Sequence, residues 1–456
     1  MGRSYYVDET VEKYFTKIIP EVKSYVTGLL VGHSSQQRDY VVLAVQTPKK
    51  EDQDEVLKKR SGPSKLDEVD EEWVSIHASQ VNRMLPGGLL VIGVFLITSP
   101  ELSKDTQNTL RKLIFAVDKT CRKNRLWSLN ENDVTDRVAV HVCSASRKNT
   151  CRTFDVSDPK STAKPADWKC QNAPSSWLTI DCNVRVDLTI PLSSSATYQE
   201  KQRCTRQGLA QWAKELENAI VFFNGQVKDT DGDLIEEQKK SRFVAQSSPQ
   251  SMSANIVVTS NSVNRSTALV QACKSSLSIQ GVVKCRGHVS TNKPKVKDAL
   301  QAIKRDLLDT ISDRCEIMFE DVILNGSQHE SQRELCPLPQ RVFIPLPGST
   351  IMLCDYIFGD ESEDDLQNRF LEMLDLEVYC KTLVFVEEMN NQDTHVNKEN
   401  ENQPHHDLCK PDKPSSEETH TLKKGASKRL QANMGLLMAT AVVLLATLIS
   451  LHYLNE

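Results

Sequence analysis

The sequence predicts an α/β domain followed by an α+β domain, a polar tether and one terminal apolar helix. Three observations carry this. Strand-like and helix-like apolar periods alternate up to residue 157. A second set of wet-faced strands and amphipathic helices fills residues 177–388. A run without charge occupies 434–454.

In the first domain, Tyr25 to Gly32 (YVTGLLVG) reads as a buried strand and Tyr40 to Val45 as its hairpin partner across a turn at Arg38-Asp39. Asp70 to Met84 is a helix, because Trp73, Ile76, His77, Val81 and Met84 recur at helical spacing behind an acidic first turn. Pro86-Gly87-Gly88 stops it. Leu89 to Thr98 (LLVIGVFLIT) is the most apolar strand ahead of the terminal run, closed by Pro100, and Leu102 to Val117 is a second amphipathic helix. Val138–Cys143 and Cys151–Val156 read as further strands. Residues 158–176 are polar and carry Pro159, Pro165 and Pro174, the composition of a linker between domains. Trp168 within it is a candidate partner anchor, set against the plainer reading of a tryptophan tucked onto its own domain.

In the second domain, Asn183, Arg185, Asp187 and Thr189 alternate with Val184, Val186, Leu188 and Ile190, a strand with one wet face. Leu209–Phe223 reads as a helix. Short strands are expected at 255–259, 267–273, 277–285 and 286–290, and a long helix over 296–319, where Ala299, Leu300, Ile303, Leu307, Ile311, Cys315 and Met318 repeat at three and four. Strands at 341–346 and 350–356, an acidic helix at 361–374 and a strand at 382–386 complete it.

Residues 389–432 are poor in aromatics and rich in Asn, Gln, Glu, Lys and Pro, the signature of a disordered tether. The segment 434–454 reaches about 30 Å as a helix, the hydrocarbon thickness of a bilayer. Met434, Leu436, Leu437, Val442, Val443, Leu444, Leu445, Leu448, Ile449 and Leu451 would face lipid. Lys423, Lys424, Lys428 and Arg429 flank it on the near side, and positive charge stays cytosolic, so the body is expected to face the cytosol. The N-terminus has no apolar run of signal-peptide length, which makes this a tail anchor, with the endoplasmic reticulum as first choice of membrane.

The 456 residues carry a net charge of −5 with Lys and Arg spread along the chain, against a nucleic-acid binder. The 13 cysteines are scattered without a CxxC pair, the usage of free thiols in a reducing compartment rather than of disulfides or structural zinc. Asp229-Thr230-Asp231-Gly232-Asp233 fails as a calcium loop because its glycine comes fourth instead of sixth. His141 and Cys143 lie two apart on one strand, but a nucleophile pair also needs an orienting group and an exposed thiolate. No cofactor motif is present, and no catalytic residue is expected.

The strand with GLLVG, its hairpin partner, a helix and then apolar–Gly–x–aromatic before a proline resembles the MPN fold of deubiquitinases and their inactive relatives. That resemblance implies zinc ligands at Leu96, Thr98 and near Thr109, and none of these residue types can serve. It also implies pairing through the helix at Asp70–Met84 and the strand at Leu89–Thr98, which makes Trp73, Gly93 and Phe95 candidate partner residues. A second resemblance spans the chain. MGRSYYVDETV, RMLPGGLLVIGVF, DPKSTAKPADWK, NGQVKD, NKPKVKDALQAIKRD and PLPGSTIMLCDY are similar to the odr-four family of membrane-anchored chemoreceptor-localisation factors. It implies a non-enzymatic adaptor at the endoplasmic reticulum. As partners it implies the cysteine protease specific for the ubiquitin-fold modifier and, as clients, G-protein-coupled receptors. The alternatives are a chaperone-like factor that binds receptor membrane segments directly, and a cysteine-dependent hydrolase.

Overall fold

The computed structural model describes residues 2–18, 24–50, 66, 69–102, 105–123, 125–127, 133–171, 175–192, 197–235, 251–258, 275–325 and 337–386. The expected tether, the anchor with its basic flank, and the expected strand at 267–273 lie outside these residues.

The first eight strands make one sheet. β1 (Ser4–Asp8) leads into helix α1 (Glu9–Lys17). β2 (Tyr25–Ser34) and β3 (Asp39–Gln46) form the expected hairpin. Helix α2 (Glu71–Arg83) follows, then β4 (Leu90–Thr98), helix α3 (Thr106–Lys123), β5 (Asp136–Cys143), β6 (Asn149–Asp155), β7 (Lys164–Pro165) and β8 (Asp167–Gln171). Their order is β7-β6-β5-β4-β2-β3-β1-β8.

β4 lies between β2 and β5, buried along almost its whole length. Coverage on both faces is why its sequence is continuously apolar instead of alternating. Odd and even residues divide between two cores. Val94 and Leu96 join α2 and α3 on one face, and Phe95 and Ile97 join α1 and the β1 side on the other. Phe95 fits because its β2 partner is Gly28, where a Cβ would lie 2.3 Å from the ring. Asp70 caps α2 by accepting from the Trp73 amide, so the acidic start of that helix is structural.

Residues 158–176 depart from the expected linker. They supply β7 and β8, which occupy the two outer positions of the sheet with only Ala166 between them. β8 pairs parallel with β1 from Ser4↔Asp167 to Asp8↔Gln171. Short, polar, proline-bearing edge strands read as linker because they bury so little.

The second sheet has the order β10-β11-β9-β12. β9 (Trp177–Leu192) and β12 (Ser275–Ser290) pair over their full 16 residues, so the two short strands expected at 277–290 are one. Helices α4 (Tyr198–Glu217) and α5 (Val296–Asn325) share this sheet's core. α4 starts eleven residues earlier than expected, at a capping box of Thr197 and Glu200. The expected helical tail at 220–223 is instead strand β10 (Ile220–Phe223), paired with β11 (Ser251–Val257).

The last strands are β13 (Gln340–Pro345), β14 (Met352–Ile357) and β15 (Val384–Phe385), with helix α6 (Glu363–Leu374) between the latter two. They do not extend the second core. Val342, Ile344, Leu353, Phe370 and Leu374 pack into the cluster that holds Val74, Ala78 and Leu110. The chain therefore returns to its first domain, and the boundaries expected at 157 and 177 do not divide it. Residues 1–319 and 333–391 form one compact unit. The other unit, 320–332 and 392–456, holds the last turns of α5 and otherwise falls outside the described residues.

Candidate functional site

The positions aligned with zinc ligands are filled by packing. Leu96 is completely buried, and Thr109 lies on the buried side of α3. Thr98 is buried as well, with its Oγ1 2.9 Å from His141 Nε2 on the neighbouring strand. Among the described residues no cluster of three His, Cys, Asp or Glu could hold a metal. Asp229–Asp233 forms a turn that pairs with the start of α5, Asp233 with Lys295, Gly232 O with the Val296 amide and Thr230 O with the Lys297 amide.

The candidate partner residues also work inside the molecule. Phe95 is fully buried and meets Phe15 edge-on at 5.0 Å. A Cβ at Gly93 would lie 2.0 Å from the Val138 carbonyl oxygen, so only glycine lets β4 and β5 close here. Trp73 donates from Nε1 to Pro48 O at 2.8 Å under Lys50. Trp168 stacks on Phe15 and donates to Glu12, the tucked arrangement. Within the chain β4 has a strand on each side, and α2 packs against α6, where His77 Nε2 is 2.9 Å from Met373 O.

Sequence reasoning missed the centre of the unit, which is a buried charge junction. Asp306 on α5 and Arg341 on β13 form a bidentate pair at 2.8 and 2.9 Å. Asp306 also accepts from the Gly87 amide at 2.9 Å and the Arg286 amide at 2.7 Å. Burial works against the Arg341 charge, and Asp306 overrides it. Four donors occupy the two carboxylate oxygens, so Asp306 offers no free basic lone pair. Glycine is required in the loop it grips: a Cβ at Gly87 would lie 2.0 Å from Ala302 O, and Gly88 has φ +88°. One trace was legible, an aspartate at 306 one turn beyond Ala302 on the apolar side of a long helix.

Beside the junction, Trp127 lies between the guanidinium groups of Arg305, 3.8 Å from the ring centre, and Arg125, 4.6 Å away. Its Nε1 donates to Asp309 at 3.0 Å, and burial pushes the Asp309 carboxyl up to about 6. The adjoining cavity, lined by His33, Asp298, Arg305 and Asp309, has a volume of about 50 Å³. That is room for water, not for a substrate.

The thiols differ in their surroundings. Burial raises Cys354 to about 12, Cys315 to about 12 and Cys121 to about 11. Cys143 is lowered, chiefly by hydrogen bonding with Ser146. Its neighbour His141 is held below its usual range by burial and is engaged with Thr98. No hydrogen bond joins Cys143 to His141 among the described residues.

Fold and junction together define a mixed α/β protein of several sheets whose buried charges bind its own elements to one another. The chain belongs to the ODR4-like family (Odorant response abnormal 4-like), whose model matches residues 28–384. It is 57% identical over 458 residues to the protein odr-4 homolog of Xenopus tropicalis and 46% over 470 residues to that of Homo sapiens, covering all of each chain. To the Odorant response abnormal protein 4 of Caenorhabditis elegans it is 21% identical over 322 residues, 68% of this chain and 64% of that one. Among solved structures it superposes on UfSP from C. elegans over 82% of its length and 57% of that chain, with 9% identity and a TM-score of 0.40, too slight a likeness to define the fold.

Proposed function

We propose that this protein is a non-enzymatic, tail-anchored adaptor of the endoplasmic reticulum membrane. Its cytosolic body, built on an inactive MPN-like domain, recruits the cysteine protease specific for the ubiquitin-fold modifier and supports folding and trafficking of G-protein-coupled receptors. Family membership supports the receptor-localising role, since the relatives carry odorant-response names. The observation that carries the non-enzymatic part is at β4. Leu96 and Thr98 stand where a metal-dependent relative needs ligands, one wholly apolar and the other engaged with His141. Neither side chain, so placed, is a zinc ligand of the kind that lowers the pKa of a water in such relatives. The anchor rests on the uncharged run at 434–454; no described helix is long and apolar enough to cross a membrane.

The test is fractionation of cells expressing the full chain or a form lacking 434–456. The protease is expected on membranes with the full chain and in the cytosol with the truncated one. Equal membrane recovery of the protease in both would reject recruitment by this protein.

A further inference from the structure

Between α4 and α5 lies a cleft of about 320 Å³, at the lower end of ligand-pocket volumes. Each helix lines it with one face: Gln199, Gln202, Arg203 and Arg206 on α4, and Ser312, Cys315, Glu316 and Phe319 on α5, both at the i, i+3, i+4, i+7 spacing. Leu209, Cys315 and Phe319 make the apolar floor, and none is more than 4% exposed. Gln199, Arg203 and Arg206 on α4 reach solvent at its rim.

The mouth is cationic. Glu316 is answered by Arg83 at 3.4 Å and by Arg206 at 3.9 Å. Arg203 is exposed and has no ion pair among the described residues. An apolar floor under a spare guanidinium fits a chain-like molecule with an anionic end. We propose that this cleft binds an amphiphilic carboxylate, with the acyl chain over Leu209, Cys315 and Phe319 and the carboxylate on Arg203.

The test uses the full chain in phosphatidylcholine nanodiscs with a diazirine-bearing dodecanoate as probe. After photolysis, labelling is expected on peptides containing residues 199–209 and 312–319. Arg203→Glu should weaken labelling about tenfold, the loss of one charge-assisted contact. Ser312→Met, which fills the space from the α5 side, should abolish it, with thermal melting confirming that both variants fold. The matching alkylamine probe should label the cleft weakly. Labelling indifferent to both substitutions, equal labelling by the amine, or label confined to other peptides would each overturn the assignment.

Discussion

Asp306 and Arg341 meet in a bidentate ion pair with side chains 1% and 3% exposed, and through it α5, β12, β13 and the Gly87 loop share one carboxylate. Removing one member leaves a buried charge without its partner, which costs roughly 3–5 kcal/mol. Asp306→Ala is therefore expected to lower stability by that order. Replacing both, as Asp306→Leu with Arg341→Met, should recover much of the loss: the Gly87 amide keeps the Arg286 carbonyl oxygen at 3.1 Å, while the Arg286 amide loses its carboxylate acceptor. Urea melts of the two variants and the wild type check this; a double variant no more stable than the single one would mean that the backbone contacts, not the pair, carry the junction.

His288 is wholly buried, and its Nε2 accepts from the Met352 amide at 3.2 Å. Burial lowers its pKa to about 3. The unfolded chain, with an ordinary histidine near 6.5, then binds the proton more readily than the folded one. Stability from this group is complete above about 6.5 and falls as pH drops towards 3, at a slope of up to about 1.4 kcal/mol per pH unit. Asp309, raised to about 6, works in the opposite sense and loses stability as pH rises from about 4 to 6. His288→Asn should flatten the acid limb of the stability–pH curve. Denaturant melts from pH 4 to 7 read the slope, and an unchanged slope would remove His288 from the account.

Gly93→Ala places a methyl group 2.0 Å from the Val138 carbonyl oxygen in the middle of the sheet. The backbones of β4 and β5 must separate to take it, at the upper end of the roughly 1–3 kcal/mol typical of overpacking. The thermal midpoint should fall by several degrees, as about 1 kcal/mol moves it by a few degrees in a chain this long. A wild-type melting temperature would show that the strands close differently here.

Deleting 434–456 is expected to release the protein from carbonate-washed membranes, since no other segment of the chain approaches about 20 uncharged apolar residues. With the full chain, protease added outside intact microsomes should digest the body, as expected if the positive charge of Lys423, Lys424, Lys428 and Arg429 keeps that flank cytosolic. Membrane retention of the truncated form, or protection of the body, would contradict the anchor or its orientation.

Elements with strong local periods were legible in the chain. β2, β3 and β4, helix α2 with its Asp70 cap, and the stripe of α5 all fall within a few residues of where their patterns place them. Weak local signals were misread. β7 and β8 looked like linker because edge strands bury one thin line of side chains, and β10 looked like the end of a helix because Ile220 and Phe223 continue the spacing of Leu216.

By itself, then, the sequence determined the order and type of the main elements, the wet and dry faces of β9, the burial of β4, the family, and the absence of usable ligand types at Leu96 and Thr98. These depend on side-chain chemistry and on periods of two or 3.6 residues, which neighbours along the chain carry in full. The tertiary structure decided how the pieces close. It sent β13, β14 and α6 back onto α2, put β7 and β8 at opposite edges of one sheet, and turned Trp73, Phe95 and Trp168 inward. It also joined Asp306 to Arg341 across 35 residues and to Gly87, more than two hundred residues away. Such pairings depend on which buried groups can satisfy one another in three dimensions, and no periodicity along the chain encodes that.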